Sequence, residues 1–185
     1  MPKKQPSKMK LESIEFREIG TLDHREEEYF AVIGKCLIEF SKSEHNLDEA
    51  IVAALNYNRR KVTCLSKHFP RTMEEKLDLL LRFCESEPPL NVFSFHLQNR
   101  VKELDRAMAL RNSLCHGYLS SVITRDGDTE FRFTRWRPGK QKYIQQISTF
   151  PKLSSIKKAI KASIVWRMLF SEIRSAVKSL PSDPH

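Results

Sequence analysis

The sequence predicts a mainly α protein, a four- to five-helix up-and-down bundle with a β-hairpin inserted before the last helix. Three observations lead there. Apolar residues recur every three or four positions through most of the chain. Only 5 glycines interrupt a sequence rich in Leu, Lys, Glu and Arg, all good helix formers except the glycine itself. The helical rhythm yields to strict alternation in one place, on either side of Asp126-Gly127. A chain of 185 residues, 40% apolar and 30% charged, can bury a core large enough to fold as one domain. The expected organisation is a basic, flexible tail over residues 1–22 and a single helical domain over 23–180.

Taken in order, Asp23 can cap a first long helix reaching about Tyr57, with Glu26, Glu27 and Glu28 near its positive end. Its apolar positions are Phe30, Ile33, Leu37, Phe40, Leu47, Ile51 and Ala54, and Glu44 breaks their rhythm. A short helix is expected within 61–68, ended by Pro70. Thr72-Met73-Glu74-Glu75 reads as a capping box opening a helix over Met73–Ser86, with Leu77, Leu80, Leu81 and Cys84 inward. Pro88-Pro89 ends it. The next helix runs from about Asn91 to His116, with Gly117 as its stop. Its seam reads Leu97, Val101, Leu104, Met108, Cys115 and Tyr118, broken once, at Arg111.

From Tyr118 the period becomes two. Strands are expected over 118–124 and 129–137, joined through Asp-Gly, with Phe131 and Phe133 inward and Arg132 and Thr134 outward. A basic loop follows, with a short extended piece at 143–147. The last helix, about Leu153 to Leu180, carries Ile156, Ile160, Ile164, Trp166, Leu169, Ile173 and Val177.

Charge is unevenly placed. The net charge of +9 comes from the tail, with four lysines and no acid in residues 1–10, and from residues 131–178, where 12 bases face Glu172 alone. Clustered Lys and Arg gain affinity for phosphates by displacing counterions, although a solvated basic face also serves solubility. Cys36, Cys64, Cys84 and Cys115 are widely spaced with no C-x-x-C pair, which points to structural thiols in a reducing compartment. The start lacks the apolar run of a signal peptide, and no stretch is long enough to span a bilayer. A cytoplasmic protein without membrane contact is expected. No glycine-rich phosphate loop, nucleophile elbow or metal-ligand spacing is present, so no cofactor and no metal are expected.

The chemically loaded segment is Arg111-Asn112-Ser113-Leu114-Cys115-His116-Gly117. Arginine stays charged and offers a planar fork of donors that matches phosphate oxygens. Histidine can accept and return a proton near neutrality. Asparagine can orient either partner. Asn112 and His116 share a helix face, whereas Arg111 lies about 140° around the axis from His116, so arginine's reach, a loosened last turn or a second subunit must bring them together. RNA carries its own nucleophile, the 2′-hydroxyl, beside each phosphodiester, so a base and a fixed cation suffice for metal-free cleavage to a 2′,3′-cyclic phosphate. The residues alone equally allow Arg111 as an ion-pair partner and His116 as a helix C-terminal cation. Glu44 and Arg111, each breaking an oily seam, are expected to meet, because an unpaired buried charge is costly. Arg135, Trp136 and Arg137, with Lys140 and Lys142, are candidate RNA contacts, the tryptophan as a stacking surface.

The Arg-polar-x-x-x-His pattern with its trailing glycine resembles the signature of the HEPN superfamily, many of whose members are metal-independent ribonucleases of toxin–antitoxin, defence and RNA-processing systems, while others are non-catalytic. The resemblance covers residues 111–117 in detail and, in helix count and pattern, about 23–118 and 153–180. It implies a helical bundle and a symmetric homodimer with both motifs facing one cleft. It implies Arg111 and His116 as catalytic residues, Asn112 in support, RNA as substrate, and it admits an antitoxin protein as a partner; the Glu44–Arg111 pair, read from the seams, either orients the guanidinium in the site or only fixes helix register. The hairpin is not part of the minimal family pattern. The alternative from a different class is a non-catalytic helical dimer serving as a binding or regulatory module, with the polar segment in its interface.

Overall fold

The computed structural model describes residues 24–58, 69–125, 127–138 and 144–181. The expected tail and the short helix within 61–68 lie outside the described residues. Helix α1 spans His24–Asn58, α2 Met73–Ser86, α3 Asn91–His116 and α4 Leu153–Ser179. Strands β1 (Tyr118–Arg125), β2 (Asp128–Pro138) and β3 (Ile144–Thr149) stand between α3 and α4. The protein is a mainly helical bundle with a small antiparallel sheet before its last helix.

Local signals set the boundaries where they are strong. Glu75 N–H donates to Thr72 Oγ1 at 3.2 Å while Thr72 N–H donates to Glu75 Oε2 at 3.0 Å, so the capping box opens α2 as its spacing predicts. Pro88–Leu90 forms one 3-10 turn leading into α3.

Contacts between helices fix their directions. Along α1 and α4 the hydrogen-bonded partners climb together, Ser43 Oγ donating to Ser163 O, Asn46 Nδ2 to Arg167 O, and Arg174 pairing with Glu49. The two helices therefore run parallel. Helix α2 follows the same direction, with Lys76 beside Glu44 and Phe83 against Tyr57. Helix α3 runs the other way: Leu97 and Leu104 pack with Leu47 and Ile51, while Leu114 packs with Ile33 and Cys36 near the start of α1. The up-and-down alternation holds from α2 through α4, whereas α1 and α2 are parallel.

The core has two adjoining clusters. The larger gathers Leu47, Ile51, Leu80, Phe83, Leu97, Trp166, Phe170 and Ile173. The smaller joins the start of α1 to the sheet through Ile33, Cys36, Phe40, Phe131, Phe133, Ile156 and Ile160. Burying such side chains yields roughly 1.5–3 kcal/mol each, which makes these stripes the main source of stability. Two expected seams shift by one position. On α1 the polar residues inside the stripe are Glu39 and Ser43, 8% and 4% exposed, and Glu44 sits at its edge; Phe30 faces solvent. On α3 Leu114 turns inward, whereas Cys115 and Tyr118 turn out. A stripe of period 3.6 drifts against a fixed count of threes and fours, so a long helix moves the boundary residues off the face.

The hairpin gains a third strand. Arg125 pairs with Asp128 across a two-residue connection, and Gly127 takes φ 76°, the left-handed conformation that such turns require. Strand β3 pairs with β2 from Thr149 opposite Phe133 to Ile144 opposite Pro138, so the sheet order is β1-β2-β3. A bulge between Leu119 and Ser121 keeps Leu119 and Val122 level with Phe133 and Phe131. Phe131 and Phe133 face the helices as expected. Thr134 keeps the outward parity of Arg132, yet it is buried, because Ser120 and Ser148 flank it on the neighbouring strands, their hydroxyls 3.3 and 3.4 Å from its own.

Sheet and last helix are tied by Asp128. Ser154 Oγ donates to Asp128 Oδ2 at 2.6 Å and Ser154 N–H to Oδ1 at 3.3 Å, while Thr129 N–H donates to Oδ1 at 2.9 Å. Lys152, the N-cap of α4, gives no side-chain cap, so this carboxylate from β2 takes that role at the positive helix end. The Ser154 hydroxyl first, then the two backbone N–H groups, hold its pKa below the usual aspartate value. Among the described residues no helix is long and apolar enough to cross a membrane.

Candidate functional site

Helix α3 ends where the bundle meets the sheet. Gly117 N–H donates to Ser113 O at 2.9 Å, and the chain leaves at once in extended conformation (φ −96°, ψ 146°). A Cβ at position 117 would lie 2.5 Å from Ser113 O and 2.9 Å from Phe133 Cβ. Glycine is needed here for a close approach of helix end and strand, and not for a left-handed stop. Within the motif, Ser113 and Leu114 are buried and serve packing.

The polar residues of the motif part company. Arg111 Nη1 donates to Asn112 Oδ1 at 3.1 Å, and Arg111 Nη2 lies 3.9 Å from Glu44 Oε2. The meeting of Glu44 with Arg111 expected from the two broken seams is present. The Arg111 side chain is 32% exposed, so solvent or a ligand still reaches its fork of donors. His116 stands exposed on the last turn and makes no hydrogen bond or ion pair among the described residues. Within one chain, therefore, Glu44, Arg111 and Asn112 are gathered into one polar group and His116 is not joined to it. The helical geometry that sets Arg111 and His116 well apart around the axis accounts for the separation.

Two members of this group, Lys76 and Asp48, belong to no motif. Lys76 of α2 is buried, its Nζ 2.7 Å from Asp48 Oδ1 and 3.5 Å from Glu44 Oε1. Glu44 is thus shared between the Lys76 ammonium and the Arg111 guanidinium, at 38% side-chain exposure. The buried charge of this group is the lysine, whereas Glu44 lies half-exposed at the edge of its stripe. Lys76 had a signal of the same kind: with Met73, Leu77, Leu80 and Cys84 inward, position 76 falls inside the stripe of α2. A second cluster on α1 and α4 is structural. Glu39, buried, pairs with Lys42 and Arg167, both at 2.9 Å, and the Lys42 hydrogen bond foremost holds its pKa below the usual carboxylate range.

The cysteines follow their burial. Cys36 and Cys84 are fully buried, and desolvation pushes their thiols up to about 11 and about 12, keeping them protonated at neutral pH. Cys115 is exposed, and its proximity adds to the shift of Cys36. Cys64 lies outside the described residues.

The candidate RNA contacts are only partly in view. Arg135 pairs with Ile147 in backbone register and is half-buried, on the helix-facing parity of Phe133. Lys140 and Lys142, and the side chains of Trp136 and Arg137, lie outside the described residues. Among the described residues no three His, Cys, Asp or Glu side chains converge in a manner that could hold a metal ion. Comparison of the chain with protein-family models, with curated proteins and with solved structures finds no match.

Proposed function

We propose that this protein is a HEPN-like, metal-independent endoribonuclease of the kind met in toxin–antitoxin and defence systems, working as a homodimer in the cytoplasm. The observation that carries the reading is the end of α3. There a guanidinium held by Glu44 and Asn112, yet still open to solvent, precedes by little more than one helical turn an exposed histidine with no partner among the described residues.

In this reading Arg111 clamps the phosphate and His116 takes the proton from the 2′-hydroxyl as that oxygen attacks phosphorus. The bond from phosphorus to the 5′-oxygen breaks, the leaving oxygen receives a proton, and a 2′,3′-cyclic phosphate and a 5′-hydroxyl remain. Asn112 and Glu44 are positioning residues that hold the guanidinium plane. Because one chain separates Arg111 from His116, the pair that acts on one phosphate comes from two copies across a shared cleft. The basic stretch 131–178 steers RNA toward it, and an antitoxin is the protein partner that would cover the cleft.

The test is cleavage of a structured RNA by the full chain in EDTA, with end analysis of the products. Wild type should cleave, and Arg111→Ala and His116→Ala should each lower the rate by at least about a hundredfold. Mixing the two inactive variants should restore part of the activity if the site is shared between copies. Absence of cleavage by wild type, or normal cleavage by both variants, overturns the reading. A second reading is favoured by the bond of Glu44 to Lys76, which makes the polar group a tie among three helices. It describes a non-catalytic dimeric binding module, and light scattering showing a dimer that cuts no RNA would support it.

A further inference from the structure

The helices cover one face of the sheet, and the opposite face carries a pattern that core packing does not explain. On β1 and beyond β3, two aromatic rings stand out in solvent, Tyr118 at 76% exposure and Phe150 at 51%. Tyr118 pairs with Thr134, and Thr134 with Ser148, in one row across the three strands. Phe150 borders the adjacent row, where the exposed Arg132 places its guanidinium 5.7 Å from the ring centroid.

Between the rings the surface is low. Its floor is a line of short hydroxyl side chains, Ser120, Thr134 and Ser148, in contact with one another. The rings stand about two strand spacings apart, ~10 Å, across this trough. Two flat apolar surfaces flank a strip of donors and acceptors, with a planar cation at one end. Of the acids with this parity, Asp128 is engaged by Ser154, and Glu130 pairs in backbone register with Lys152. Tyr118 follows His116 by two residues, so the trough opens beside the end of α3.

We infer that this outer sheet face is a platform for single-stranded RNA, on which Tyr118 and Phe150 stack bases and Arg132 contacts a base or phosphate. The inference deepens the ribonuclease reading and rests on it for the identity of the ligand. Unpaired bases offer π-faces that aromatic rings and arginine planes bind without regard to sequence. A duplex hides those faces, so a stacking platform selects single strands. The local surplus of bases over acids in 131–178 supplies the long-range attraction that a purely apolar partner would not need. The hydroxyl floor can answer polar edges or the 2′-oxygen.

The experiment measures anisotropy of a fluorescein-labelled 12-nucleotide RNA, and of its 2′-O-methyl form, which no 2′-hydroxyl chemistry can cut. The wild-type chain should bind both single strands, and a duplex of equal length more weakly. Tyr118→Ala and Phe150→Ala should each weaken single-strand binding roughly 5- to 100-fold. Tyr118→Phe should keep affinity, and Phe150→Leu should lose it as Phe150→Ala does. Arg132→Ala should reduce the slope of log affinity against log salt by about one if it contacts a phosphate. Unchanged affinity on removal of either ring overturns the platform, as does ring-dependent binding that is equal for duplex and single strand. A change of oligomeric mass in the ring variants also overturns it, since the rings would then be subunit contacts. Ring-dependent binding without cleavage by wild type sinks the nuclease reading alone. Cleavage that needs Arg111 and His116, with ring-independent binding, sinks the platform alone.

Discussion

Lys76 reaches Asp48 with 2.7 Å between ammonium nitrogen and carboxylate oxygen, and of the two it is the lysine that is buried. Glu44 stands on the other side of the same ammonium at 3.5 Å and passes the contact on to Arg111. One buried cation thus organises two acids on α1, and through one of them the arginine of α3.

Loss of either acid alone leaves Lys76 one partner, and both acids are open enough to rehydrate. Glu44→Gln and Asp48→Asn should therefore each destabilise by about 1 kcal/mol or less. Together they strand a buried ammonium, a situation worth about 3–5 kcal/mol. Urea unfolding of the two single variants and the double variant should show a loss in the double that exceeds the sum of the singles by more than about 1 kcal/mol. Simple additivity would refute the shared role of Lys76.

Gly117→Ala should destabilise by about 1–3 kcal/mol, because the new Cβ meets a backbone carbonyl at 2.5 Å and helix or strand must move. The φ of −96° is one that alanine adopts freely, so the effect is steric. Enlarging the space should therefore soften it. Phe133→Leu loses stability alone, and the double variant should lose less than the two singles together. A fully stable Gly117→Ala protein, judged by thermal melting, would show that the close approach is not required.

Asp128 should confer stability that depends on pH. Its folded pKa lies below the ordinary value near 3.9, so its contribution is complete above that value and disappears as pH falls through the folded one. Asp128→Ala should melt at a lower temperature than wild type at pH 7, and the two melting curves should converge below about pH 4. A gap of constant size from pH 7 to pH 3 would mean that the carboxylate's charge contributes nothing to capping α4.

The sequence by itself determined much of the local structure of the described fold. Period set α2 and α3 and a capping box opened α2, the Asp-Gly pair set the β1–β2 turn, and alternation put Phe131 and Phe133 inward. Each of these depends on residues within one or two turns of each other, where sequence spacing is spatial spacing. The same logic marks Glu44 and Arg111 as charges that interrupt oily seams, and it applies equally to Lys76.

Only the tertiary structure decided who meets whom. The parallel run of α1 and α2 brings Lys76 to Glu44 and Asp48. The third strand gives Thr134 a neighbour on each side and places Phe150 beside Arg132, which shapes a face that no single strand displays. The meeting of Arg111 with Glu44 likewise follows from how α3 is rotated against α1. These relations join residues at least 14 positions apart in the chain, and they depend on the direction and rotation of whole elements, which arise from packing all the stripes at once and leave no periodic trace in any one segment.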